Sequence, residues 1–442
     1  MLKRLLEVTD WSGAETTAAE ASFPALFPSG LEFNAPARGH WNIVHLGMLL
    51  PQSHQVFVCA QGCLRGVVLT AAEMNAMDRM SWVAVTQNDL LGSGMQQQIV
   101  DGTAEILSRM DVLPPAVLVF ISCIQQFAGC DMGDVCRELK NRFPATGFID
   151  CYMNPTMRKS GLTPDQIMRR QLYALLEPAP KQPRSVNFLG AEYSVSERSE
   201  LMRLLRGEKF TVRDITNCKN FSEYRQMEES AVNITVLPNA RAAGDELARR
   251  LGQKHLYLPL CYGREEILRN LRLAADCFGA AVPDTSGPEE DADEALRRAC
   301  GKVGSLPLEI SFTATPRPLG LARLLLEHGF AVRRVYLDTV NPEEEADFLW
   351  LKRRAPELLF TSTLRPQMRF RAERSEEPVL AIGQEAAYFA GTRHFVNLNA
   401  GGGLYGFSGI SELAGLIEDA AAREKDLDFV IAKKALGCES CL

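Results

Sequence analysis

The sequence lacks the features that mark nucleic-acid-binding, membrane-spanning and secreted proteins. Its formal net charge is −7 and its pI is near 5.6, so no basic surface is available for nucleic acid or anionic lipid. No run approaches the roughly 20 apolar residues of a membrane span. The N-terminus also lacks the long apolar core of a signal peptide. We therefore expect a cytoplasmic protein that binds neither nucleic acid nor membrane.

Cysteine is plentiful, with 12 residues in the chain, but none of them precedes Cys59. The cytoplasm keeps thiols reduced, so a disulfide framework is not expected there. The uses that remain for these cysteines are burial, metal binding and catalysis.

The chain is too long for one ordinary core, since 442 residues predict about three domains. From about Trp41 onward, short apolar β-branched runs alternate with helical patterns, which is typical of parallel sheets flanked by helices. Three prolines between Glu177 and Pro183 indicate a stiff boundary. We predict an α/β fold of three Rossmann-like domains, divided into an N-terminal arm at 1–40, a first domain at 41–182, a second domain at 183–302, and a third domain with a C-terminal tail at 303–442.

Two predicted strands run into cysteine. The strand His54–Val58 is followed by a predicted loop that holds Cys59 and Cys63, before a helix predicted from Gly66 to Met80. The continuous apolar run Ala116–Ile121 is typical of a strand buried on both faces of a parallel sheet.

The second of these strands leads into Ser122-Cys123, and Asp131 is the expected N-cap of the next helix. Ligands of open α/β sheets bind outside the carboxyl ends of the strands, so we expect the three thiols of Cys59, Cys63 and Cys123 around one crevice. Several thiolates at one point indicate an iron–sulfur cluster or zinc. The thiol pair alone is equally typical of core packing, because cysteine is among the most buried residue types.

The order of these motifs resembles component 1 of nitrogenase and its relatives. Those relatives include cofactor-assembly scaffolds, dark-operative protochlorophyllide and chlorophyllide reductases, and nickel-tetrapyrrole and methylthio-alkane reductases. Five segments carry the resemblance: Gln61-Gly62-Cys63, Ser122-Cys123, Phe127 to Asp131, Asn187 to Gly190, and Leu404 to Gly409. Cys123 follows Cys63 by 60 residues, and Cys130 stands where the family has its first Asp.

The resemblance implies that Cys59, Cys63 and Cys123 bind an iron–sulfur cluster, either 4Fe–4S or larger. Residues next to these cysteines are the candidates for contact with the cluster. Arg65 would stabilise an anionic cluster or pair with a partner's carboxylate, and Gln125 and Gln126 would donate hydrogen bonds to cluster sulfur. The predicted cofactor-binding set is Gln61, Gly62, Arg65, Gln125 and Gln126.

The chain departs from the family pattern at an early ligand. The family's first cysteine would fall near Gly39 and His40, where this chain has none. Cys59, His40, His45 or a partner chain could complete the site, and we favour Cys59 because it lies in the same predicted loop as Cys63.

A second departure concerns the large catalytic cofactor of nitrogenase. The family's second-domain cysteine position falls at Leu237, and His394 is about two residues out of register with Gly409. Binding of that cofactor by this chain is therefore not expected. A terminal Cys438-Glu439-Ser440-Cys441 could be a redox pair, an accessory metal ligand or a segment without function.

The function that the resemblance implies is the relay of low-potential electrons to a bound substrate or cofactor. The expected partners are a second copy or a paralogous component 1 subunit, and an ATP-dependent iron–sulfur reductase. This chain has no Gly-x-x-x-x-Gly-Lys-Ser/Thr phosphate loop, so ATP chemistry would come from that reductase. The alternatives are a cofactor-assembly scaffold without turnover of its own and a zinc-binding or metal-free Rossmann-type binding protein. No catalytic residue or substrate is identified.

Overall fold

The computed structural model describes residues 12–30, 32, 43–91, 94–154, 161–337, 339–369 and 377–434. The predicted candidates His40, Cys438 and Cys441 lie outside these residues. None of the described helices is long and apolar enough to span a membrane.

Within the described residues, strands and helices alternate along nearly the whole chain. The strands are β1 (Glu15–Thr17), β2 (Ser53–Ala60), β3 (Met80–Val85), β4 (Ala116–Ser122), β5 (Gly147–Met153), β6 (Gln182–Phe188), β7 (Thr211–Asp214), β8 (Ser230–Thr235), β9 (Lys254–Tyr257), β10 (Leu308–Ser311), β11 (Val332–Leu337), β12 (Leu359–Ser362), β13 (Leu380–Ile382) and β14 (Phe395–Val396). The α-helices are α1 (Ile43–Met48), α2 (Gln61–Glu73), α3 (Gln87–Leu91), α4 (Met95–Ser108), α5 (Cys123–Phe127), α6 (Met132–Arg142), α7 (Pro164–Gln171), α8 (Glu200–Gly207), α9 (Phe221–Arg225), α10 (Arg241–Leu251), α11 (Arg264–Phe278), α12 (Ser286–Val303), α13 (Pro318–Glu327), α14 (Glu345–Arg354), α15 (Gln384–Ala390), α16 (Gly406–Ala422) and α17 (Leu427–Lys434).

The strands form three sheets. The first has the order β3-β2-β4-β5 and the second β7-β6-β8-β9, and all neighbours in both are parallel. The third has the order β1-β12-β11-β10-β13-β14, and only β1 runs antiparallel to its neighbour. The predicted α/β fold with three Rossmann-like parallel sheets is confirmed.

The chain divides into two compact units. One comprises Asn34–Glu192 and Phe210–Tyr257 and contains the first and second sheets. The other comprises Met1–Phe33, Tyr193–Lys209 and Leu258–Leu442 and contains the third sheet. The predicted domain boundaries near residues 40, 182 and 302 stay a prediction.

The two central strands of the first sheet are buried on both faces, as parallel strands between two helical layers are. Alternate side chains enter separate cores, because successive residues of a strand point to opposite faces. Phe57 and Phe120 stack in one core with their ring centroids 4.3 Å apart. Val58 and Ile121 lie in the other.

The predicted loop between Val58 and Gly66 is wrong. Strand β2 continues to Ala60, and α2 begins directly at Gln61. Leu64, Val67 and Ala71 recur at helical spacing and are buried, so tertiary packing draws this segment into the helix. The predicted end of the helix at Met80 is also wrong, since α2 ends at Glu73 and Met80 begins β3.

Candidate functional site

The candidate site lies where the first sheet reverses its strand order. From β2 the chain goes to β3 on one side, and β4 lies on the other side of β2. In open α/β sheets the crevice outside the carboxyl ends of such a strand pair is where ligands bind. Val58 of β2 pairs with Ile121 of β4, so the residues that follow each of them reach the same edge of the sheet.

The three predicted cysteine ligands all lie at this edge. Cys59 is the next-to-last residue of β2, Cys63 lies in the first turn of α2, and Cys123 is the first residue of α5. The two segments are 60 residues apart in the sequence, and the parallel pairing of β2 with β4 brings them together.

The three thiols differ in burial. Cys59 is 0% exposed and belongs to the core that contains Phe57 and Phe120, because it lies on the same face of β2 as Phe57. Cys63 and Cys123 are half-buried, and Cys63 packs against that same core. Two thiols are therefore reachable from solvent, and the third is covered.

The thiols also influence each other electrostatically. Burial, and to a lesser extent the nearby charge of Cys63, raise the pKa of Cys59 to about 12. Burial also raises the pKa of Cys63, with Cys123 as the second cause. The raised pKa values favour the protonated thiols of Cys59 and Cys63 when no cation is bound. A bound metal ion would favour the thiolates instead, because coordination to a metal deprotonates a thiol.

Among the residues that the structure describes, no group of three or more His, Cys, Asp or Glu side chains is placed to hold a metal ion. Joint metal binding by Cys59, Cys63 and Cys123 therefore stays a prediction.

The predicted cofactor-binding residues separate into an exposed set and one buried member. Gln125 is 0% exposed, and its side chain bonds to backbone at both strand ends. The exposed members are Gln61, Gly62, Arg65 and Gln126.

Ser122 was missed as a structural residue of the site. It caps α5, where its backbone N–H and its hydroxyl both donate to Gln125 Oε1, at 3.0 and 2.8 Å. The signal was present in the sequence, because Ser122-Cys123-Ile124-Gln125 fits the Ser-x-x-Gln capping box. The predicted N-cap of α6 is confirmed, with Asp131 accepting from the Asp134 N–H at 3.1 Å.

The other candidate ligands lie elsewhere. His45 is half-buried in α1. His394, in the unit of the third sheet, has its Nδ1 atom 2.9 Å from the Ala420 carbonyl oxygen. Leu237, at the family's second-domain ligand position, is buried, and its side chain has no atom that could bind a metal.

Comparison with known proteins identifies the family. The model of nitrogenase component 1 type oxidoreductases matches residues 46–415. The solved structure "Nitrogenase Cp1 at pH 6.5" is similar with a TM-score of 0.66 at 12% identity, covering 92% of this chain and 95% of that chain. "Nitrogenase Cp1 at pH 5" gives a TM-score of 0.59 at 12% identity and covers 96% of both chains. No curated protein sequence matches the chain.

At this identity the structural likeness shows the shared fold alone, and the family match is what extends over most of the sequence. The chain belongs to the nitrogenase component 1 type oxidoreductases.

Proposed function

We propose that this chain is an electron-relay subunit that binds an iron–sulfur cluster through Cys59, Cys63 and Cys123. The observation that carries the proposal is the arrival of all three cysteines at the switch point of one parallel sheet. Members of this family bind iron–sulfur clusters, which supports the choice of cofactor.

The donor set suits such a cluster. In a mononuclear site every thiolate must reach one metal atom at about 2.3 Å. In a cluster the ligand thiolates bind different iron atoms, so a buried thiol and two half-exposed thiols can serve together. Three cysteines supply three of the four ligands that a 4Fe–4S cluster normally has. The fourth would come from a non-thiolate residue or from a second subunit.

The residues around the thiols have separate tasks. Cys63 lies in the first turn of the 13-residue helix α2, where the helix dipole opposes the effect of burial, which raises the pKa of this thiol. Cys59 would hold the cluster from the core side. Arg65 is exposed on α2, four residues after Gln61. It would place positive charge near an anionic cluster. A cluster there would accept and release one electron at a time.

The short helix α5, which begins at Cys123, also carries an exposed surface where a partner could approach. Phe127, at the end of α5, is 75% exposed, and Gln126 beside it is also exposed. The proposed partners are a second copy or a paralogous component 1 subunit, together with an ATP-dependent iron–sulfur reductase as electron donor. The electrons would pass to a substrate or cofactor bound by the assembly.

Anaerobic reconstitution with iron and sulfide tests the cluster assignment. We expect Cys63→Ala and Cys123→Ala each to lose most of the brown chromophore and the bound iron. Cys300→Ala is the matched control, because Cys300 is also half-buried and lies in the other compact unit. Full chromophore in both site variants would refute the assignment. Metal analysis of the same samples would detect zinc in place of iron.

A scaffold for cofactor assembly is the second candidate, favoured by the buried Leu237 at the ligand position of the catalytic cofactor. Such a scaffold would transfer iron to an apo-enzyme and reduce no small molecule. Purification with native partners, followed by a metal-transfer assay and a reductase assay on the same sample, distinguishes the two.

A further inference from the structure

The buried amide of Gln125 connects the two strand ends that carry the cysteines. Its nitrogen Nε2 donates to the Val58 carbonyl oxygen at 2.9 Å. Its oxygen Oε1 accepts from the Ser122 N–H at 3.0 Å and from the Ser122 hydroxyl at 2.8 Å. The side chain is 0% exposed, so no water competes for these bonds.

Each contacted residue directly precedes a predicted ligand. Val58 is followed by Cys59 on β2, and Ser122 is followed by Cys123 at the start of α5. The Gln125 amide thus joins two backbone segments 60 or more residues apart in the sequence. A planar amide with three hydrogen bonds fixes both the distance and the relative orientation of the segments it joins.

We infer that Gln125 is a positioning residue that sets the spacing between the thiols of the first sheet. Its amide faces backbone atoms of Val58 and Ser122, which is a different task from the predicted hydrogen bond to cluster sulfur. The inference deepens the proposed function and rests on it for the identity of the group that the thiols bind. The spacing itself is a property of the protein without any cofactor.

Gln126 provides the matched control. It is the same residue type at the next position of the same short helix, and it is exposed. A change at Gln126 alters α5 composition equally but leaves the bonds to Val58 and Ser122 in place. Any effect limited to Gln125 therefore reports the buried amide.

The first measurement uses the protein without metal. Cys63 and Cys123 are crosslinked with a bis-thiosulfonate reagent that has an ethylene linker, and the product is quantified by peptide mass spectrometry. We expect Gln125→Met to slow formation of this crosslink roughly tenfold relative to wild type, because reactions of this kind need close alignment. Gln126→Met should react at the wild-type rate.

Ser122→Ala keeps the test decisive if Gln125→Met does not fold. This variant removes one of the three hydrogen bonds and retains the other two, so a smaller effect of about threefold is expected. Circular dichroism and thermal unfolding of each variant establish that the fold is retained. A wild-type crosslinking rate in every folded variant of Gln125 and Ser122 would overturn the inference.

The second measurement uses the reconstituted protein. We expect Gln125→Met to shift or broaden the electron paramagnetic resonance signal and to change the midpoint potential. Gln253→Met, which removes a buried backbone-bonded amide beside the second sheet instead, should leave both unchanged. Slower crosslinking in a protein that binds no iron would support the positioning role and refute the proposed function. An unchanged crosslinking rate and an unchanged signal in a protein that does bind iron would refute the positioning role and support the proposed function.

Discussion

The buried carboxyl group of Glu344 makes the stability of the protein fall as pH rises. Glu344 is 0% exposed, and its Oε1 atom accepts from the backbone N–H groups of Leu319 and Gly320 at 2.8 and 3.1 Å, at the start of α13. Burial raises the pKa of Glu344 from 4.5 to about 8, against the opposing effects of the Gly320 N–H and of Arg317. The carboxyl group is therefore mostly protonated in the folded protein at neutral pH.

The direction of this pH dependence follows from proton binding. Between about pH 4.5 and pH 8 the unfolded chain has lost this proton and the folded protein keeps it, so unfolding is favoured increasingly as pH rises. The stabilisation is complete below about pH 4.5, declines through this range, and is lost above pH 8. Each unit between the two pKa values corresponds to about 1.4 kcal/mol, which gives a total loss on the order of 5 kcal/mol, of which about 4 kcal/mol falls between pH 5 and pH 9.

Urea unfolding from pH 5 to pH 9 measures this loss. Glu344→Gln retains the acceptor oxygen but cannot ionise, so its free energy of unfolding should decline less over this range, by on the order of 4 kcal/mol relative to wild type. Glu345→Gln, at an exposed neighbouring position, should follow the wild-type curve. Parallel pH curves for wild type and Glu344→Gln would refute the reasoning.

Substitutions at three further positions should change the stability of the protein. Gly244→Ala should destabilise by roughly 2 kcal/mol in urea unfolding, because a Cβ atom there would lie 2.2 Å from the ring of His255. Gly301→Ala, where a Cβ atom meets nothing within 4 Å inside a helix, should stabilise by roughly 0.5–1 kcal/mol, and a loss there would contradict this. Arg169→Met should cost about 3–5 kcal/mol at pH 7, since it removes the buried cation that pairs with the two buried carboxylates of Asp165 and Glu192. Arg109→Met, which removes one partner of an exposed ion pair, should cost less than about 1 kcal/mol, and an equal cost in both variants would argue against the role of the buried charge.

The sequence by itself determined the fold class and the positions of the most regular elements. The run Ala116–Ile121 predicts β4 nearly to the residue, because a strand buried on both faces has to be apolar throughout. Asp131 marks the start of α6, because capping depends on a side chain and a backbone N–H that are three residues apart. Such local signals do not depend on distant parts of the chain.

Only the tertiary structure decided how the site is built. It converted the predicted loop after β2 into the first turns of α2, because packing of Leu64 and Val67 outweighs the weak helix propensity of Gly62. It placed Cys59 in a core, because the face of a strand residue depends on register and on which layer covers it. It assigned the Gln125 amide to Val58, because the two residues meet only after β2 and β4 pair side by side. Contacts between residues this far apart in sequence arise from strand order, which local patterns do not encode.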